Sequence, residues 1–70
     1  MNLKKLIKDL RRLGLKVYKY KNMLNVFIGE EPMVFIDLKT NEIYFNESLY
    51  ESLNQEKRDE IVNTILKYFN

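Results

Sequence analysis

From Leu15 to Phe45 aliphatic side chains recur with a period of two, interrupted only by short polar clusters. That period belongs to extended chain, whose successive side chains point to opposite faces. It also restricts how the strands pair, because a slip of one residue sends a whole apolar set to the wrong face. A two-residue turn at Lys21-Asn22 pairs Tyr20 with Met23, Val17 with Val26 and Leu15 with Ile28. A three-residue turn at Glu30-Glu31-Pro32, next to Gly29, pairs Ile28 with Val34, Val26 with Ile36 and Leu24 with Leu38. A two-residue turn at Thr40-Asn41 pairs Lys39 with Glu42, Leu38 with Ile43 and Ile36 with Phe45. These are common hairpin loop lengths, and Asn tolerates the positive φ that such turns require. All three hairpins put Leu15, Val17, Leu24, Val26, Ile28, Val34, Ile36, Leu38, Ile43 and Phe45 on one face. The spacing predicts a four-stranded antiparallel meander.

On either side of this stretch the period becomes helical. Leu3, Leu6, Ile7, Leu10 and Leu13 form one apolar stripe, which predicts a helix over residues 2–13 ended by Gly14. After Phe45, Asn46 or Ser48 can cap a short helical turn carrying Leu49 and Leu53. Asn54 can cap a further helix over residues 55–69, with Ile61, Val62, Ile65, Leu66 and Phe69 inward. One continuous helix from about residue 48 is the alternative. An N-terminal and a C-terminal helix packed on one face of the meander make an α-β-β-β-β-α domain of the α+β class. With 70 residues the chain is expected to be a single domain, 1–70, near the lower size at which a core suffices without staples.

The residue types present exclude much chemistry. The chain has no cysteine and no histidine, so disulfides, the usual zinc, haem and iron–sulfur ligand sets and the common nucleophile–base pairs cannot be built. Gly14 and Gly29 are the only glycines, so no glycine-rich phosphate loop exists. Ser48, Ser52, Thr40 and Thr64 sit where capping or surface hydrogen bonding accounts for them. The neighbouring acids Glu30 with Glu31 and Asp59 with Glu60 read as solvated pairs rather than a catalytic or metal-holding dyad. The expectation is a binding protein, not an enzyme, with no cofactor and no metal. No apolar run approaches a membrane span, and no unbroken apolar stretch follows the first lysines as in a signal peptide. A cytoplasmic location is therefore expected.

The same registers define a second sheet face, and its content is unusual for a surface. It carries Tyr18 and Tyr20, then Met23 and Phe27, then Met33 and Phe35, and finally Tyr44, with Lys16, Asn25, Asp37, Lys39 and Glu42 among them. Phe27 is expected beside Phe35, and Asp37 beside Tyr44. Aromatics are good strand formers, and cross-strand pairing alone can explain some of them. Five aromatics and two methionines on a face that no helix remains to cover point instead to an interface. Tyrosine and methionine suit protein contacts, either with a target or in a homodimer. Sheet-borne aromatics can also stack unpaired bases.

Charge is distributed unevenly along the chain. Residues 1–21 hold eight basic side chains, Lys4, Lys5, Lys8, Arg11, Arg12, Lys16, Lys19 and Lys21, against the single acid Asp9, while the remainder is net acidic. Such asymmetry can mark an interaction surface or simply the wet side of a helix. It would supply phosphate contacts if the partner were single-stranded nucleic acid, although Asp37 in the middle of the aromatic face opposes that reading.

"MNLKKLIKDLRRLGLKVYKY", the short-turn meander and the closing "NQEKRDEIVNTILKYF" together resemble small phage and prophage proteins of AT-rich bacteria. Lys, Asn, Ile, Tyr, Phe and Met, which have AT-rich codons, fill half of the chain. Some anti-CRISPR proteins, which bind a CRISPR nuclease and block it, share this helix–meander–helix layout. The basic N-terminal half departs from the acidic, DNA-mimicking members. The resemblance implies a protein that binds a host or phage protein in the host cytoplasm and inhibits or modulates it.

Overall fold

In a computed structural model, which describes residues 1–69, the element order is α1 (Leu3–Arg12), β1 (Lys16–Tyr20), β2 (Met23–Ile28), β3 (Glu31–Asp37), β4 (Glu42–Phe45), α2 (Glu47–Glu51) and α3 (Gln55–Leu66). The strands form one antiparallel sheet in the order β1-β2-β3-β4. The class is α+β, with the helices at the two ends of the chain. Asn70, the last residue of the expected domain, lies outside the described residues.

Each helix begins at an asparagine. The side chains of Asn2, Asn46 and Asn54 accept hydrogen bonds from Lys5 N, Leu49 N and Lys57 N at 3.1, 3.3 and 2.8 Å. Each bond satisfies a donor that the first helical turn leaves open. α1 ends where Gly14 adopts φ +87°, a backbone conformation that an L side chain resists. Beyond the sheet the chain makes two helices rather than one: α2 stops at Glu51 and Asn54 starts α3.

The first hairpin has the expected register, with Val17 opposite Val26 and Tyr20 opposite Met23. The cores of the next two pairings are each displaced by two residues from expectation. Leu24 stands opposite Ile36 and Val26 opposite Val34, because the β2–β3 turn is Gly29-Glu30, with Gly29 at φ +61°, and β3 then carries one extra residue. Ile36 stands opposite Ile43 and Val34 opposite Phe45, across a four-residue connection over residues 38–41. That longer loop is built by Asp37, whose Oδ1 accepts from Lys39 N at 2.9 Å and Thr40 N at 3.2 Å. Phe27 consequently lies beside Pro32 and Phe35 beside Tyr44, while Asp37 lies beside Glu42.

The assignment of Met33 to the second face is corrected by the structure. Between the Val26–Val34 and Phe27–Pro32 pairs, β3 contains one extra residue, Met33. This β-bulge breaks the alternation, so Met33 and Val34 are both fully buried in the core.

That core lies between one sheet face and the helices. Leu6 and Leu10 of α1 and Ile61 and Ile65 of α3 are buried against Leu15, Val17, Leu24, Val26, Met33, Val34 and Ile36. Each buried aliphatic side chain contributes about 1.5–3 kcal/mol. The four helix side chains together thus match the whole net stability of a chain this size, about 4–10 kcal/mol. The sheet therefore depends on its helices. Three polar ties join α1 to the C-terminal segment: Lys57 Nζ donates to Leu13 O at 2.6 Å, the Tyr68 hydroxyl donates to Asp9, and Lys67 Nζ lies 3.3 Å from Asp9 Oδ2. Leu66, expected inward, is 49% exposed.

Candidate functional site

Among the described residues the helices pack on one side of the sheet, and none covers the other side. Its rows follow from the registers. Tyr18, Asn25, Phe35 and Tyr44 run across the middle, with Tyr20, Met23, Asp37 and Glu42 on one side and Lys16, Phe27 and Pro32 on the other. Tyr18 and Tyr20 on β1 are 56% and 69% exposed, and Tyr44 on β4 is 49% exposed. Met23, Phe27 and Phe35, on the central strands, are half-buried by their neighbours. The structure thus brings six of the seven expected face residues together; the exception is Met33.

Local contacts hold this face in shape. The Tyr18 and Phe27 rings meet edge to face at 5.8 Å, the arrangement that ring quadrupoles favour. Asn25 Nδ2 donates to Tyr18 O and Met23 O at 3.4 and 3.3 Å, which keeps its amide low between the aromatics. The Tyr44 hydroxyl donates to Glu42 Oε2 at 2.9 Å. That bond, with some desolvation, raises the Tyr44 pKa above its ordinary value. Lys16 Nζ lies 2.9 Å from Glu30 Oε1, and the hydrogen bond between them lowers the Glu30 pKa and raises that of Lys16. Both groups are well exposed, so the pair contributes little to stability.

Lys4 and Lys8 stand between two adjoining basic grooves along α1. Lys4, Lys8, Arg11 and Lys19 line a groove of about 380 Å³ between α1 and β1, over Ile7 and Val17 and bounded by Tyr18. Arg11 Nη2 donates to Val17 O at 2.9 Å, which fixes its guanidinium there. Lys5 and Arg12 lie on another side of α1, near Asp9. Lys16 is engaged with Glu30, and the Lys21 ammonium lies 5.5 Å from the centre of the Tyr20 ring.

Three of the four hydroxyls weighed as chemical groups have structural partners. Ser52 and Thr64 donate to Leu49 O and Glu60 O, and Thr40 Oγ1 accepts from Glu42 N. Among the described residues, no three acidic side chains are arranged to hold a metal ion. No helix among them is long and apolar enough to cross a membrane.

A second concavity is not anticipated by the sequence pattern. Phe45 and Leu66, both expected inward, are partly exposed along a groove between β4 and α3 that also includes Ile43 and Val62. The sequence does contain a signal for it. In the pairs Ile61-Val62 and Ile65-Leu66 the second residue stands about 100° around the helix from the first, so the pairs make the apolar face of α3 a wide one.

The chain matches no known family model, no curated protein and no solved structure.

Proposed function

We propose that the chain is a non-catalytic protein-binding module. It acts as a phage or mobile-element accessory protein that inhibits or modulates a host defence protein. The observation that carries the binding role is the uncovered sheet face with Tyr18, Tyr20, Met23, Phe27, Phe35 and Tyr44. The phage assignment rests on the resemblance in layout. Four strands spaced about 4.8 Å apart and about 17 Å long offer only about 300 Å² of face. A standard interface takes about 800 Å² from each partner. A stable complex, with a target or with a second copy, therefore also engages the rim where Lys16, Lys19 and Lys21 stand.

The test compares the chain with its Tyr18→Asp and Phe27→Asp variants. Both are expected to keep the circular dichroism spectrum and melting profile of the parent and to lose a host protein that the parent retains. If the variants unfold, the aromatics serve the sheet itself. Light scattering distinguishes a second copy from a foreign target.

Single-stranded nucleic acid is the second reading, supported by the opening of the four-cation groove at Tyr18. It requires oligonucleotide binding that weakens steeply as salt rises. Absence of binding at low salt, read by fluorescence anisotropy, removes it.

A further inference from the structure

Among the described residues β4 is hydrogen-bonded on one side only, so its other side is a free edge. Asn46 donates its N–H to Met33 O at 2.8 Å, just beyond the Phe35–Tyr44 and Asp37–Glu42 pairs. Antiparallel ladders alternate between bonded and non-bonded pairs. Tyr44 and Glu42 therefore direct their backbone groups at β3, and Ile43 and Phe45 direct theirs outward. The side chains of Ile43 and Phe45 line the neighbouring groove, about 430 Å³ in volume, with Val62 and Leu66 of α3 opposite. Glu47 and Glu51 of α2 also line it, and no lysine or arginine does. The cation of α3 beside the groove, Arg58, lies 5.9 Å from the centre of the Tyr50 ring.

We propose that this edge and groove form a second binding site, which takes an extended basic peptide as a fifth strand of the sheet. Its backbone pairs with the outward N–H and C=O groups of Ile43 and Phe45. Side chains at alternate positions enter the groove, as strand geometry requires, and these are apolar. At the groove-facing positions two residues to either side of these along the peptide, lysine or arginine faces Glu47 and Glu51. A second copy fits less well. Pairing through its own β4 about a twofold axis would bring two sets of these acids together. The site lies at the helix-covered side of the sheet edge, so it does not depend on the open aromatic face.

The probe is a short fluorescein-labelled peptide of the pattern Lys-Thr-Val-Thr-Val-Thr-Lys, whose lysines and valines share one face, compared with a peptide that has glutamate in place of lysine. Anisotropy titration is expected to show the lysine peptide bound at least about tenfold more tightly. Leu66→Glu, at an exposed position, is expected to abolish binding, whereas Tyr18→Asp on the open face leaves it intact. Methylation of the peptide nitrogens that face Ile43 and Phe45 should remove binding as well. Equal affinity for the two peptides, or full binding by a folded Leu66→Glu variant, overturns the proposal. So does a dimer in light scattering that Leu66→Glu dissociates, because the groove then belongs to a second copy.

Discussion

Met33 is fully buried beside Val34 because the bulge gives β3 one residue more than the strand opposite it. Met33→Ala is expected to cost about 2–5 kcal/mol, the usual range for emptying a core position. Urea unfolding measures it, and a change under about 1 kcal/mol would place Met33 outside the core. Strict alternation through Phe35 and Asp37 puts this residue on the open face instead. Two features of the sequence accompany the exception: consecutive apolar residues at Met33-Val34, and Pro32, which has no N–H for a ladder. The other six face residues were legible because neighbouring strands vouch for each of them, and a shift of two residues changes the neighbour but keeps the face. That is why Tyr18, Phe35 and Tyr44 take the expected face although Phe35 meets Tyr44 rather than Phe27.

At the scale of elements, helix starts were more legible than turn lengths. Asn54 reads as a cap, and the structure gives its side chain the Lys57 N–H. Its replacement by alanine should cost about 1 kcal/mol, seen as a lower thermal midpoint with little change in the spectrum of the native state. The turns are harder because apolar pattern specifies a face and leaves loop length open by two residues. Gly29 and Asp37 decide it, the first through its positive φ and the second through its bonds to Lys39 N and Thr40 N. The groove beside β4 is hidden from pattern for a related reason. The apolar pairs of α3 suggest one inward face, whereas the helix has a wider one, part of which nothing covers.

Over the whole molecule, the contact between α1 and the C-terminal segment makes stability depend on pH. The Tyr68 hydrogen bond, aided by Lys67 and Arg12, lowers the Asp9 pKa, while the bond to Asp9 raises that of Tyr68. A depressed carboxyl pKa contributes stability above the ordinary value of about 4, lost as pH falls through the folded value. A raised phenol pKa contributes stability below about 10, lost as pH rises through the folded value. The chain should therefore melt above its Tyr68→Phe variant at neutral pH, with the difference shrinking toward both extremes. Melting curves recorded across pH test this, and a constant difference would remove Asp9 as the cause. The packing of α1 against α3 also has a consequence during synthesis. Leu6 and Leu10 leave the ribosome before the strands, whereas Ile61 and Ile65, which complete their enclosure, follow after them. Until those two residues clear the exit tunnel, the newborn sheet shows an oily flank, and chaperones have that interval in which to meet it.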